Sequence, residues 1–120
     1  AGEAQQFRDV STVNADGELW ELEFETPPHG VMLNIAGTDL WIDSAAGVLR
    51  CNAGEYPLPH TGKPLHWRAW LDRNTLELFE SEGCFWLQLP VQRRPEPVIS
   101  VPQGGPLAAV TLRPLQTIWR

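Results

Sequence analysis

The stretch Leu65-His66-Trp67-Arg68-Ala69-Trp70-Leu71-Asp72-Arg73-Asn74-Thr75-Leu76-Glu77-Leu78-Phe79-Glu80-Ser81-Glu82-Gly83-Cys84-Phe85-Trp86-Leu87-Gln88-Leu89 decides the fold. Its aliphatic residues share one side only if the chain doubles back twice. With Arg73-Asn74 as a two-residue turn, Leu71 faces Leu76 and Ala69 faces Leu78. With Glu82-Gly83 as a second tight turn, where glycine tolerates positive φ, Leu78 faces Leu87 and Phe79 faces Trp86. A slip of one residue would mix the two sides. One face is then aliphatic (Ala69, Leu71, Leu76, Leu78, Leu87 and Leu89) and belongs in a core. The other carries Arg68, Trp70, Glu77, Phe79, Trp86 and Gln88, at once large, aromatic and polar.

The same period of two runs outward in both directions. Trp20, Leu22 and Phe24 alternate with Glu21, Glu23 and Glu25, the pattern of an antiparallel strand with one wet face, and Pro27-Pro28-His29-Gly30 ends it. Val31, Leu33 and Ile35 continue to Gly37, Leu40 and Ile42 to Asp43-Ser44, and Val48 and Leu49 follow Gly47. Three prolines and two glycines make Asn52 to Pro64 read as one long irregular loop. Further strands are expected near 65 to 72, 75 to 81, 84 to 89, 98 to 101 and 107 to 119, with Arg93-Arg94-Pro95-Glu96-Pro97 as a linker. No helical stretch of three turns is present. Nine or ten short strands at close spacing predict an all-β chain, a two-sheet antiparallel β-sandwich of the concanavalin or jelly-roll-like kind, or failing that a barrel.

At 120 residues the chain suits a single domain with one core, spanning 1–120, with residues 1–6 as a tag or flexible start. It opens on Ala1-Gly2-Glu3-Ala4 without a methionine and is read as a piece of a longer product. A net charge of −6 and the lack of a Lys/Arg cluster exclude a nucleic-acid partner, whose affinity comes largely from neutralised phosphates. No apolar run approaches the roughly 18 residues of a membrane helix, and no membrane partner is expected. The start carries no basic region followed by an apolar stretch. The compartment stays open, a secreted or periplasmic one being favoured. Cys51 and Cys84 allow one disulfide at most and form neither a disulfide framework nor a metal-ligand pair; two buried thiols are the expectation.

The segment Leu71-Asp72-Arg73-Asn74-Thr75-Leu76-Glu77-Leu78-Phe79-Glu80-Ser81-Glu82-Gly83 resembles the signature V-D-R-S-S-x-E-V-F-x-N-D-G of the C-terminal sandwich in glycoside hydrolase family 32, the fructan- and sucrose-cleaving enzymes. Its D-R, E-x-F and G positions carry the match. Ala109-Val110-Thr111-Leu112-Arg113-Pro114-Leu115-Gln116-Thr117-Ile118-Trp119 is similar to that family's closing strand, which ends in L-x-S-I-W. The similarity spans roughly residues 18 to 119 and is strong only in these two stretches. A second D-R-S-like element usual in the middle loop is replaced by Asn52-Ala53-Gly54-Glu55-Tyr56. In that family catalysis belongs to an N-terminal five-bladed propeller bearing W-x-N-D-P-N-G, R-D-P and E-C-P. None of these is present here, and Arg8-Asp9-Val10 lacks the proline of the second. The resemblance therefore implies a non-catalytic accessory module with no cofactor.

The remaining residues offer no competing chemistry. His29, His60 and His66 lack the spacing of a metal site or a triad, and no Ser or Cys sits in a nucleophile elbow. Gln103-Gly104-Gly105-Pro106 lacks the helix and Lys of a phosphate cradle and reads as a turn. Glu77 is expected to pair with Arg68 on a strand face rather than to act as a glycosidase carboxylate. Of six tryptophans, Trp20, Trp67 and Trp119 are core by phase, whereas Trp41, Trp70 and Trp86 fall on the non-aliphatic side. Two functions fit. In the first, the chain is a binding module: the resemblance extends to carbohydrate-binding module family 66, which recognises fructosides such as levan ends, and Arg68, Trp70, Asp72, Arg73, Glu77 and Trp86 would contact the sugar. In the second, the aromatic face docks on an N-terminal catalytic propeller and the domain only buttresses the enzyme. A free-standing sandwich with an unrelated ligand is a third reading.

Overall fold

Where apolar and polar residues alternate, an extended chain turns every second side chain to one side, and these segments form strands. In the computed structural model, which describes residues 4–14, 19–59, 62–72, 74–83, 85–91 and 97–114, there are twelve of them. They are β1 (Gln5–Val10), β2 (Thr12–Val13), β3 (Trp20–Thr26), β4 (Val31–Ile35), β5 (Thr38–Asp43), β6 (Val48–Cys51), β7 (Gly54–Pro57), β8 (Leu65–Leu71), β9 (Thr75–Glu80), β10 (Trp86–Pro90), β11 (Ile99–Gln103) and β12 (Leu107–Pro114). They build two six-stranded sheets, ordered β1-β12-β3-β8-β9-β10 (sheet A) and β2-β11-β4-β5-β6-β7 (sheet B), with every pairing antiparallel. The two separate sheets make a sandwich and exclude the barrel.

The inner faces supply the core. Leu22, Phe24, Trp67, Ala69, Leu71, Leu76 and Leu78 from sheet A meet Val31, Leu33, Ile35, Leu40, Ile42 and Leu49 from sheet B, all at most 1% exposed. Trp67, the largest of them, donates its indole N–H to the buried Thr26 hydroxyl at 2.9 Å and sets its ring edge-on to Phe85 at 5.8 Å. A buried polar atom without a partner is costly, and this pairing lets a tryptophan occupy the centre.

The double hairpin has the expected register, with Leu71 opposite Leu76, Ala69 opposite Leu78, Leu78 opposite Leu87 and Phe79 opposite Trp86. Its second turn differs. The Glu80 carbonyl accepts the Gly83 amide at 2.9 Å, so the chain reverses over Ser81-Glu82, and Gly83 follows at φ 80°. A side chain would resist that left-handed geometry.

Other expectations are revised. Asn52 to Pro64 is not one irregular loop: Gly54–Pro57 pairs with β6 across an Asn52-Ala53 turn, from Cys51 opposite Gly54 to Val48 opposite Pro57. Its proline is tolerated because β7 is an edge strand with no further neighbour to bond. Gln5 and Gln6, within the expected tag or flexible start, belong to β1 and pair with Leu112 and Thr111. The chain passes from sheet A to sheet B at Ser11, whose carbonyl accepts the Val101 amide at 2.9 Å. β11 and β12 make the reverse passage alongside it. Cys51 is a half-buried free thiol, while Cys84, His60 and Trp119 lie outside the described residues. Among the described residues no helix is long and apolar enough to cross a membrane.

Candidate functional site

The outer face of sheet A is a lattice set by register. One row across the strands reads Thr111, Glu23, Arg68, Phe79, Trp86, and the next reads Arg113, Glu21, Trp70, Glu77, Gln88. On β8, β9 and β10 every aromatic residue therefore has a polar neighbour beside it. Among the described residues, Trp70 and Trp86 are the large hydrophobic side chains left exposed, at 45% and 57%. Phe79 lies between them, with ring centroids 5.4 Å from Trp70 and 6.5 Å from Trp86. The Trp86 indole N–H points to Glu77 Oε2 at 3.4 Å, a long and weak bond that leaves the carboxylate available to a better donor. A shallow recess of about 370 Å³ opens against this face, lined by Arg68, Trp70, Phe79, Glu80 and Ser81.

Arg68 does not pair with Glu77. Register sets Arg68 opposite Phe79 on one side and Glu23 on the other. Its guanidinium instead reaches Glu21 at 3.4 Å and Glu23 at 3.6 Å. Arg113 approaches the same two carboxylates, donating to Glu23 at 2.6 Å and lying 3.4 Å from Glu21. The result is a four-charge network of zero net charge on β12, β3 and β8. The hydrogen bond from Arg113 holds the Glu23 carboxyl below its ordinary value, against desolvation and helped by the charges of Arg113 and Arg68. Glu23 in turn raises Arg113, again through that hydrogen bond first.

Of the six residues expected at the site, Arg68, Trp70, Glu77 and Trp86 share the outer face. Asp72 sits at its end with another task. Its Oδ1 accepts from the Asn74 amide at 2.8 Å, the Thr75 amide at 2.7 Å and the Thr75 hydroxyl at 2.9 Å, while its own amide donates to the Thr75 carbonyl at 3.0 Å. Asp72 thus builds the turn. Arg73 lies outside the described residues. Glu21, Glu23 and Arg113 were missed as neighbours of Arg68. The alternation placed Glu21 and Glu23 on a wet face, but their meeting with Arg113 spans about 90 residues of sequence, which no local pattern encodes.

Trp41, in the same phase relative to its own strand, has a different setting. It crosses Gly30 so closely that a Cβ there would collide with its ring. It is half-buried on the outer face of sheet B, beside the Arg50–Glu55 ion pair at 3.0 Å. His29 Nε2 lies 3.0 Å from the Gly104 carbonyl, and His66 lies 3.8 Å from Glu25. Among the described residues no group of three His, Cys, Asp or Glu could hold a metal ion.

Neither a family model nor a curated protein matches the sequence. Solved structures match the fold. Exo-inulinase from Aspergillus awamori superposes with a TM-score of 0.66 at 13% identity, over 98% of this chain and 29% of that one. A fructofuranosidase variant from Schwanniomyces occidentalis complexed with fructosylnystose gives 0.53 at 11% identity, over 96% of this chain and 33% of that one. The chain thus spans about a third of the proteins it matches, and the matching part is their C-terminal β-sandwich. At these identities the likeness establishes the fold.

Proposed function

We propose that this chain is a non-catalytic accessory β-sandwich of the glycoside hydrolase family 32 type, and that the outer face of β8, β9 and β10 binds a fructoside. The observation that carries the reading is the pair of exposed tryptophans flanking Glu77, with Arg68 beside Trp70. A sugar ring has an apolar face that stacks on an indole and hydroxyls that both donate and accept. Glu77 accepts from them and Arg68 donates, and neither is fully committed: the Trp86 indole meets Glu77 only at a long 3.4 Å, and the Arg68 side chain is 52% exposed. The fold of an inulin-type enzyme and the D-R-x-x-x-E-x-F stretch from Asp72 to Phe79 support the same assignment.

Binding of one ring is weak, because little area is buried against the entropy of association. Calorimetric titration with levan, inulin and fructose tests it. Heat is expected with at least one, and Glu77→Ala or Trp70→Ala should each cost about 1–3 kcal/mol of binding energy. Heat that survives both substitutions would move the site elsewhere, first to the cleft of about 480 Å³ lined by Thr38, Asp39, Asn52 and Leu89. No turnover of sucrose, inulin or levan is expected, since the W-x-N-D-P-N-G, R-D-P and E-C-P motifs that carry the family's catalysis are absent from this sequence. Activity lost on mutating a residue of this chain would overturn that.

The second reading, a face that docks on a catalytic propeller, has one observation in its favour: Trp70, Phe79 and Trp86 form a continuous apolar strip on a strand surface, as an interface core does. It predicts no heat with any fructan and tight association with the propeller portion of a family 32 enzyme.

A further inference from the structure

Resting on the sugar-binding reading, we infer that the face takes a neutral glycan chain lying across the strands, in at least two subsites that share Glu77, rather than a single terminal ring. The exposed tryptophans do not converge on one point. Trp70 is on β8 and Trp86 on β10, two interstrand spacings apart, or about 10 Å. One ring stacked on either indole leaves the other bare. The polar groups repeat with them: Trp70 has Arg68 beside it along β8 and Glu77 opposite, while Trp86 has Gln88 along β10 and approaches Glu77 at 3.4 Å. Glu77 lies on β9 between the two platforms and can accept hydroxyls from units on both. Phe79 bridges the tryptophans at a half-buried level, a floor rather than a wall.

Charge selects what can lie there. The chain carries −6 overall, and this face balances Arg68 and Arg113 against Glu21 and Glu23, leaving Glu77 as an added negative group. An acidic polysaccharide would have to displace Glu21 and Glu23 from Arg68 while approaching Glu77, whereas a neutral chain does neither.

The experiment compares fructose with short and longer inulin oligosaccharides by calorimetry, on the intact chain and on Trp70→Ala and Trp86→Ala. Joining two subsites raises affinity through effective concentration, so the oligosaccharides should bind at least about tenfold more tightly than fructose. Each tryptophan variant should abolish that gain while keeping the circular-dichroism melt of the parent. Equal affinity for fructose and the oligosaccharides, or a length gain that survives Trp86→Ala, would overturn the two-subsite arrangement and leave single-ring recognition standing. Absence of binding by every sugar would remove the sugar-binding reading and this inference with it.

Discussion

The two faces of β8, β9 and β10 are built from one backbone, one residue out of phase. Inside, Ala69, Leu71, Leu76 and Leu78 are at most 1% exposed; outside, Trp70 and Trp86 are 45% and 57% exposed. Hydrophobicity alone does not sort them, since an alanine is buried and a tryptophan is not. What sorts them is strand register, and in the proposed sugar-binding reading the two tryptophans left in water are the part of the outer face that meets the ligand. Stability should therefore respond to one face and ligand binding to the other.

The largest effect is expected inside. Leu78→Ala removes a fully buried side chain from the middle of the meander and should cost about 2–5 kcal/mol, read as a lower denaturant midpoint at unchanged slope. A loss below about 1 kcal/mol would mean that the inner face is looser than its burial implies. Thr26→Val keeps the shape but strips the acceptor from Trp67, and the stranded indole N–H should cost about 1–3 kcal/mol. Thr26→Ser, which keeps the hydroxyl, should recover part of that loss.

Outside, Trp70→Ala and Trp86→Ala are expected to shift stability by less than about 0.5 kcal/mol. A melt lowered well beyond that would erase the contrast between the faces. The smallest effect concerns acid. The folded Glu23 carboxyl lies below its ordinary 4.5, so its contribution is complete above that value and is lost as the pH falls through the lowered pKa. Arg113→Met should remove that part of the acid limb, so that parent and variant converge at low pH. The difference should shrink in high salt, because the pair is solvent-accessible.

This contrast was readable from sequence because it is local. Leu71, Leu76, Leu78 and Leu87 lie within two turns of one another, and only one register puts them together. The Asn52–Pro64 segment misled because its prolines and glycines conceal a four-residue edge strand that tolerates Pro57. β1 carries no clean alternation: its six residues are exposed or half-buried and are specified by the β12 partner, far along the chain. The same distance hid the partners of Arg68. Sequence identified the aromatic, Arg and Glu members of the face but not the Glu21–Arg113 neighbourhood that diverts Arg68 from Glu77. Nor could phase separate Trp41 from Trp70 and Trp86, because Trp41 packs against the Gly30 backbone in space that any side chain there would fill.

The turn held by Asp72 also bears on the order of folding. Its carboxylate secures three donors within three residues, so the β8–β9 hairpin can close at small loop entropy before any distant strand arrives. The opposite edge of sheet A pairs Gln5 with Leu112 and must await nearly the whole chain. A topology of such distant pairings folds in milliseconds to seconds rather than microseconds, and its nucleus should form where contacts are local. Asp72→Ala is then expected to slow refolding nearly in proportion to the stability it removes, whereas Phe7→Ala on β1 should mainly quicken unfolding.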